Sequence, residues 1–242
     1  MYSQIIVWLI VLEILGLLGF LISFRAFSRL SDKGYCFSKP VGLLLISILT
    51  WFLGLTHVLP NTLVSVLVAL IILLVLSFSS IRNHTSEFLE YVGKNLKTIL
   101  IFELLFIIVF VIFAISRSLS PDLNHTEQPM DLMLLNAVIT SPSYPPQDPW
   151  LSGEVVSYYY FGYLMFGVLA NLAWQAPQVA YNLGIATVAA LSAVTVFGIV
   201  FNLIRISYGS WLGAIFGALA GVFFLVFASN LVGTLELLRS SG

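Results

Sequence analysis

Residues 98–115 read TILIFELLFIIVFVIFAI, a continuous apolar run in which Glu103 is the single charged residue. A run of about 20 such residues crosses the roughly 30 Å hydrocarbon core of a bilayer when it forms an α-helix. The run does not alternate between apolar and polar residues, as a strand of a membrane β-barrel does. This stretch therefore predicts a transmembrane helix.

Comparable runs occur on both sides of this stretch. They cover residues 5–24, 41–58, 62–79, 155–174, 179–204 and 211–235. Of the 242 residues, 60% are hydrophobic and 9% are charged, whereas a soluble domain carries about 25% charged residues. We predict an all-α, polytopic transmembrane helix bundle of about seven spans. Residues 1–116 would hold four spans, residues 117–154 an external loop, and residues 155–242 three spans.

Charge and cysteine content exclude several classes of protein. Ten Lys and Arg residues oppose eleven Asp and Glu residues, which gives a net charge of −1. This content does not supply the basic patch that a phosphate backbone requires, so we expect no nucleic-acid partner. The single cysteine, Cys36, excludes a disulfide framework and a Cys/His zinc site. The composition predicts the lipid bilayer as a partner.

The distribution of Lys and Arg over the loops predicts the orientation of the bundle. Cytoplasmic loops of membrane proteins carry an excess of these residues. Arg117 and Arg205 fall on one side of the predicted bundle, and the other eight Lys and Arg residues fall on the opposite side. We therefore expect a multi-pass protein of the cell membrane, with the N-terminus and residues 117–154 outside and the C-terminus inside.

The external loop contains a predicted helix. An apolar run follows Pro129, and proline is favoured in the first turn of a helix. We predict that residues 129–140 form a short amphipathic helix lying flat on the external membrane surface. The residues expected to face the bundle, spaced by three and four, are Leu132, Leu135 and Ile139.

Acidic residues of this loop are the first candidates for a functional site. Glu127 and Asp131 are four residues apart at the start of the predicted helix. They either stabilise its N-terminus electrostatically, or form a carboxylate pair that acts as a base or holds a divalent cation such as Mg²⁺ or Mn²⁺. Asp148 precedes Pro149 and either starts a turn or binds substrate.

Aromatic residues at the end of the loop are candidates for substrate binding. Consecutive residues of a helix point about 100° apart, so a run of tyrosines cannot face lipid as a whole. The tyrosines form either an interfacial aromatic belt or a wall of hydroxyl groups and ring faces for a sugar or phosphate. The candidates are Trp150, Tyr158, Tyr159, Tyr160, Tyr163 and, at the end of the second run, His57.

Two acidic residues lie inside predicted spans, where ionisable groups are costly and mark functional sites by default. They are Glu13 in the first run and Glu103 in the fourth. A transporter or flippase-like protein would depend on them, and a midplane cavity lined by Glu13 would favour that function. A cavity under the loop, lined by Asp131 and Tyr159, would favour an enzyme. A structural subunit would show neither cavity.

Several motifs of the loop resemble one family. They are EQPMD at 127–131, LNA at 135–137, SP at 141–142, YPPQDPW at 144–150 and SYYYFGY at 157–163. This pattern is similar to that of the "YYY" multi-spanning membrane proteins of bacteria and archaea, a domain of unknown function (DUF2298). ASNL at 228–231 is similar to a later motif of the family. Members are usually much longer, so the resemblance implies that this chain is an N-terminal fragment.

The resemblance also implies an activity, because that family is grouped with the GT-C glycosyltransferases. Such enzymes use lipid-phosphate-linked sugar donors and carry an essential carboxylate in their first large external loop. Carried onto this chain, Asp131 and Glu127 become the catalytic and metal-binding candidates, and the tyrosines line the path of a polyprenyl-phosphate-linked sugar. Here the loop follows the fourth predicted span, so the first three spans are an addition. The implied location is the plasma membrane of a bacterium or archaeon.

Overall fold

The computed structural model describes residues 2–228 and Arg239, and within this part the chain forms a bundle of α-helices. Helix makes up 77% of the structure, and the described residues form no β-strand. The α-helices are α1 (Tyr2–Ala26), α2 (Ser38–Leu55), α3 (Leu63–Ile81), α4 (Thr85–Leu119), α5 (Gln128–Thr140), α6 (Phe161–Ala173), α7 (Pro177–Tyr208) and α8 (Trp211–Val222). A 3₁₀ turn, Tyr35–Phe37, precedes α2, and a π-helical turn, Phe223–Phe227, continues α8.

Among the described residues, five helical segments are long and apolar enough to cross a membrane. They are α1, α3, α4, α7 and the segment Tyr35–Leu55, which combines the 3₁₀ turn with α2. They coincide with five of the seven predicted runs, because the length and hydropathy of a span are local properties of the sequence. The prediction of an all-α membrane protein is confirmed at this level.

The helices at the other two predicted runs are shorter. Helix α6 has 13 residues and begins only at Phe161, because the preceding segment pairs with the loop: the Val156 N–H donates to the carbonyl of Pro146 at 2.9 Å. Helix α8 and its π turn extend over Trp211–Phe227. The remainder of the seventh run, and residues 229–231 of the ASNL motif, lie outside the described residues. Seven spans therefore stay a prediction.

Helix α5 packs against α6 and α7, and a residue between α2 and α3 fixes its C-terminal end. The Asn61 amide donates to the carbonyls of Val138 and Ser141, each at 2.8 Å. Its Oδ1 accepts the Tyr144 hydroxyl at 2.9 Å. Burial raises the pKa of Tyr144, so this hydroxyl keeps its proton and remains a donor. Asn61 thereby connects the loop after α5 to the N-terminal half of the bundle.

The predicted helix over 129–140 is confirmed as a helix, but its buried face is rotated from the predicted stripe. Leu135 is buried as expected, whereas Leu132 and Ile139 are only half-buried. The fully buried positions of α5 are Leu134, Leu135, Ala137 and Val138. The predicted stripe assumes a helix covered on one side, whereas Asn61 and Tyr144 both donate to the Val138 carbonyl and so cover α5 from a second direction.

Candidate functional site

Asp131, in the first turn of α5, lies between two tyrosines of the bundle. Its Oδ1 accepts the Tyr163 hydroxyl of α6 at 2.5 Å, and its Oδ2 accepts the Tyr181 hydroxyl of α7 at 2.9 Å. Both carboxylate oxygens therefore have a phenol donor, and each donor comes from a different helix. Hydrogen bonds to an ionised acceptor are stronger than those between neutral groups, so these contacts fix the carboxylate with respect to α6 and α7.

An apolar cavity of about 530 Å³ adjoins this carboxylate. Tyr163 and Tyr181 line the cavity as well as holding Asp131, which places the carboxylate beside its wall. The other walls come from α4, α5, α7 and the π turn, and include Phe113, Leu135, Val188 and Leu225. A cavity of this size and apolar character, with a few convergent polar groups, is typical of ligand sites.

Arg117 brings a positive charge next to this site. Its Nε donates to Asn182 Oδ1 at 2.8 Å, and Asn182 directly follows Tyr181 on α7. A second guanidinium nitrogen donates to the Asp122 carbonyl at 3.3 Å. Because a guanidinium has five N–H donors, Arg117 retains donors for an anionic ligand beyond these two contacts.

Glu127 does not line the 530 Å³ cavity, whose wall contains Tyr163 and Tyr181, but a second, smaller one. It is the exposed N-cap residue of α5, as expected for a residue just before the helix, but its side chain makes no capping hydrogen bond. Instead it lines a cavity of about 260 Å³ together with Asp148, Trp150 and Tyr158. The two acidic residues of the predicted pair therefore have different surroundings. Asp131 accepts hydrogen bonds from two tyrosines, and Glu127 lines the smaller cavity.

The interpretation of Asp148 as a turn-starting residue is confirmed. Its Oδ1 accepts the backbone N–H groups of Trp150 and Leu151 at 2.8 and 3.2 Å. The same side chain also lines the smaller cavity. Trp150, which also lines the smaller cavity, is 71% exposed, so its ring is available to a ligand or to the membrane interface.

The tyrosines of the YYY motif separate into different environments. Tyr158 and Tyr159 are exposed, with ring centroids 3.8 Å apart, and Tyr159 stacks on Tyr163 at 6.5 Å. The Tyr160 hydroxyl accepts the indole N–H of Trp51 at 2.9 Å, which connects this segment to α2. Of the four candidates, Tyr163 is the one that contacts Asp131, and Tyr158 shares the smaller cavity with Asp148.

His57 occupies a separate position. It follows α2 with a φ of 55°, its side chain is exposed, and it lines neither the larger nor the smaller cavity. Sequence reasoning missed Tyr181 and treated Arg117 only as a loop charge. Tyr181 lies 50 positions from Asp131, and no local pattern connects the two, so only the packing of α5 on α7 could show their contact.

The described residues contain no group of three or more His, Cys, Asp or Glu side chains that would hold a metal ion. Asp131 and Glu127 provide two carboxylates, and hard cations take six or more oxygen ligands. Water or substrate phosphate would have to supply the rest, and the predicted divalent cation therefore stays a prediction.

Comparison with known proteins places the chain in a family. The sequence model of the uncharacterized membrane protein family DUF2298 matches residues 45–242, which include α5, both cavities and the tyrosine motif. No curated protein and no solved structure matches the chain. The match covers most of the chain and agrees with the motifs between residues 127 and 163. The chain belongs to the DUF2298 family of uncharacterized membrane proteins.

Proposed function

We propose that this protein is a membrane glycosyltransferase of the GT-C type, which transfers a sugar from a polyprenyl-phosphate-linked donor. The observation that carries the proposal is the position of Asp131, held by Tyr163 and Tyr181 beside an apolar cavity. A lipid-linked sugar has an apolar chain and a polar reacting end. The cavity and the carboxylate supply matching environments side by side.

Asp131 is the proposed general base. It takes the proton of an acceptor hydroxyl while that oxygen forms a bond to the anomeric carbon of the donor sugar. The bond between the anomeric carbon and the phosphate oxygen breaks, and its electron pair leaves with the lipid phosphate. Tyr163 and Tyr181 hold the carboxylate in position through the transfer.

The cavity is the proposed site of the prenyl chain. Its wall on α7 extends from Tyr181 to Ser192, about 16 Å at the rise of an α-helix. Arg117, fixed by Asn182 next to Tyr181, would bind the donor phosphate, because guanidinium groups form charge-assisted hydrogen bonds with phosphate oxygens. Its charge would also offset the repulsion between that phosphate and Asp131.

The smaller cavity is the proposed site for sugar rings. Trp150 and Tyr158 offer ring faces there, and Glu127 and Asp148 offer acceptors for sugar hydroxyls. Tyr159 lies exposed between this cavity and Tyr163. A divalent cation, if the reaction uses one, would be held by Asp131 or Glu127 together with the substrate phosphate.

The proposed orientation follows the charge distribution. Helices α6 and α8 would complete a bundle of seven spans, and the segment 117–154, with α5, would lie on the external face of the plasma membrane of a bacterium or archaeon. The donor would reach Asp131 laterally from the external leaflet. Transport without catalysis is the alternative function. The wall of the 530 Å³ cavity contains neither Glu13 nor the expected Asp131 and Tyr159. It does contain Tyr163 and Tyr181, which bond Asp131, and this favours the enzyme.

The test is sugar transfer by the full-length protein in membrane vesicles, with a polyprenyl-phosphate-linked donor and an acceptor pool extracted from the same membranes. Asp131→Asn keeps the shape of the side chain and removes its basicity, so we expect transfer to fall below detection. Asp122→Asn is the matched control, because Asp122 is an exposed acidic residue of the same loop. Unchanged transfer in Asp131→Asn would contradict the role of Asp131.

A further inference from the structure

A lysine and two glutamates meet between α1, α2 and α4. Lys39 in the first turn of α2 is only 5% exposed, and its Nζ lies 2.6 Å from both carboxylate oxygens of Glu103 on α4. The same Nζ lies 3.1 Å from Glu13 Oε2 on α1. Gly16 makes room for this arrangement, because a Cβ at that position would lie 2.7 Å from Lys39 Cγ.

The two glutamates are not equivalent partners of Lys39. Glu103 accepts two hydrogen bonds from the ammonium group and a third, at 2.5 Å, from the Tyr35 hydroxyl. Glu13 has the single, longer contact at 3.1 Å. One ammonium charge can neutralise one carboxylate, and the number and length of the contacts assign that carboxylate to Glu103.

Glu13 lies in an apolar and exposed stripe of α1. Its side chain is 46% exposed, and its neighbours on the same face, spaced by three and four, are also exposed. These neighbours are Ile6, Ile10 and Leu17, and Ile14, the residue after Glu13, is exposed as well. On a helix that crosses a membrane such a stripe faces hydrocarbon, where an ionised carboxylate without its own counter-ion is costly. The neutral form of Glu13 avoids this cost.

We propose that Glu13 is a proton-binding site inside the membrane, and that the neighbouring Lys39–Glu103 ion pair is permanent. The neutral carboxyl keeps one oxygen 3.1 Å from the Lys39 ammonium and carries the bound proton on its other oxygen. The groups that face Glu13 are Lys39 from α2, Glu103 from α4 and the Tyr35 hydroxyl from the 3₁₀ turn. The proton site lies apart from Asp131 and is independent of sugar transfer.

Dicyclohexylcarbodiimide tests this proposal, because it enters lipid and modifies protonated carboxyl groups. The carboxyl proton passes to a carbodiimide nitrogen, the carboxylate oxygen bonds to the central carbon, and rearrangement leaves a stable N-acylurea with no leaving group. The full-length protein in membranes at neutral pH is treated and its peptides are analysed by mass spectrometry. We expect the Glu13 peptide to be labelled about tenfold or more over the Glu103 peptide, and the label to disappear in Glu13→Gln.

Infrared spectroscopy of the same protein gives a second measurement that does not depend on reagent access. Glu13→Gln should remove the carbonyl band of a protonated carboxyl and leave the carboxylate bands in place. Glu13→Gln should also leave thermal stability nearly unchanged, since Gln resembles the neutral acid. Either the label or the carbonyl band assigned to Glu13 supports the proposal. Persistence of these signals in Glu13→Gln, or the absence of both in the wild type, would overturn it.

Discussion

The Tyr181 hydroxyl on α7 donates to Asp131 Oδ2 on α5 at 2.9 Å, across 50 residues of sequence. Helix α7 is long and apolar enough to cross a membrane, and α5 is the short helix of the acidic loop. The contact therefore anchors the loop carboxylate to the bundle. The Tyr163 hydroxyl on α6 donates to the other carboxylate oxygen, Asp131 Oδ1, at 2.5 Å. Asp131 is therefore bonded to both α6 and α7.

Removal of these hydroxyl groups should slow sugar transfer. Tyr163→Phe and Tyr181→Phe each delete one hydrogen bond to a charged group, worth about 1.5–3 kcal/mol. If the lost bond positions the base in the transition state, each variant should lose roughly ten- to a hundredfold in transfer rate. The measurement is the initial rate with a saturating lipid-linked donor.

Tyr208→Phe, at the end of α7, is the control for this pair. Tyr208 is 82% exposed and lines neither cavity, so the rate of this variant should stay near that of the wild type. An equal loss in all three variants would indicate a general effect of tyrosine removal. Wild-type rates in both Tyr163→Phe and Tyr181→Phe would show that these hydroxyl groups do not position a base.

Filling the apolar cavity should weaken binding of the lipid chain. Val188 on α7 lines the cavity, and Val188→Trp would occupy part of its 530 Å³. We expect a higher KM for the polyprenyl-linked donor and little change for a water-soluble, short-chain analogue, because only the long chain needs the cavity. Ile199→Trp is the control, since Ile199 is an exposed residue of the same helix outside this cavity. Equal effects on both donors would contradict a chain-binding cavity.

The fold follows from local sequence to a larger extent than the site does. Apolar run length predicted seven spans, five of which are long helices in the described residues, and Pro129 predicted the start of α5, because each signal acts within one helix. The position of Lys39 illustrates the opposite case. In sequence Glu13 has no neighbouring base, yet α1, α2 and α4 bring Lys39 between Glu13 and Glu103. Contacts between helices depend on packing, which a single sequence does not display.

The same reasoning explains the Asp131 site. The sequence indicated the carboxylate and the tyrosine motif, and it left open whether Glu127 and Asp131 stabilise the start of α5 or act as a pair. In the structure Glu127 lines the smaller cavity, and Tyr163 and Tyr181 bond Asp131. Tyr181 carries no local signal, since an isolated tyrosine near the end of a membrane helix is also typical of an aromatic belt.

Asn61 should be important for stability. Asn61→Ala leaves the carbonyls of Val138 and Ser141 and the Tyr144 hydroxyl without this partner in a buried place. Unsatisfied buried polar groups cost about 1–3 kcal/mol each, and partial relaxation gives an expected total loss of about 2–4 kcal/mol. For a chain of this size Tm should fall by roughly 5–15 °C, measured by thermal unfolding in detergent. The exposed Asn124→Ala is the control, and equal Tm values for the two variants would contradict the role of Asn61.

Cysteine labelling in intact cells tests the proposed orientation without reference to the activity. The one native cysteine, Cys36, is 1% exposed, so it should give a low background with an impermeant thiol reagent. Ser152, between α5 and α6, and Ser86, in the first turn of α4, are both exposed. In the proposed orientation, which follows the excess of Lys and Arg near α4, Ser86 lies on the cytoplasmic side. Ser152→Cys should therefore react in intact cells, and Ser86→Cys should react only after the membrane is permeabilised. The reverse pattern would place the loop and Asp131 on the cytoplasmic face and would rule out transfer at the external surface.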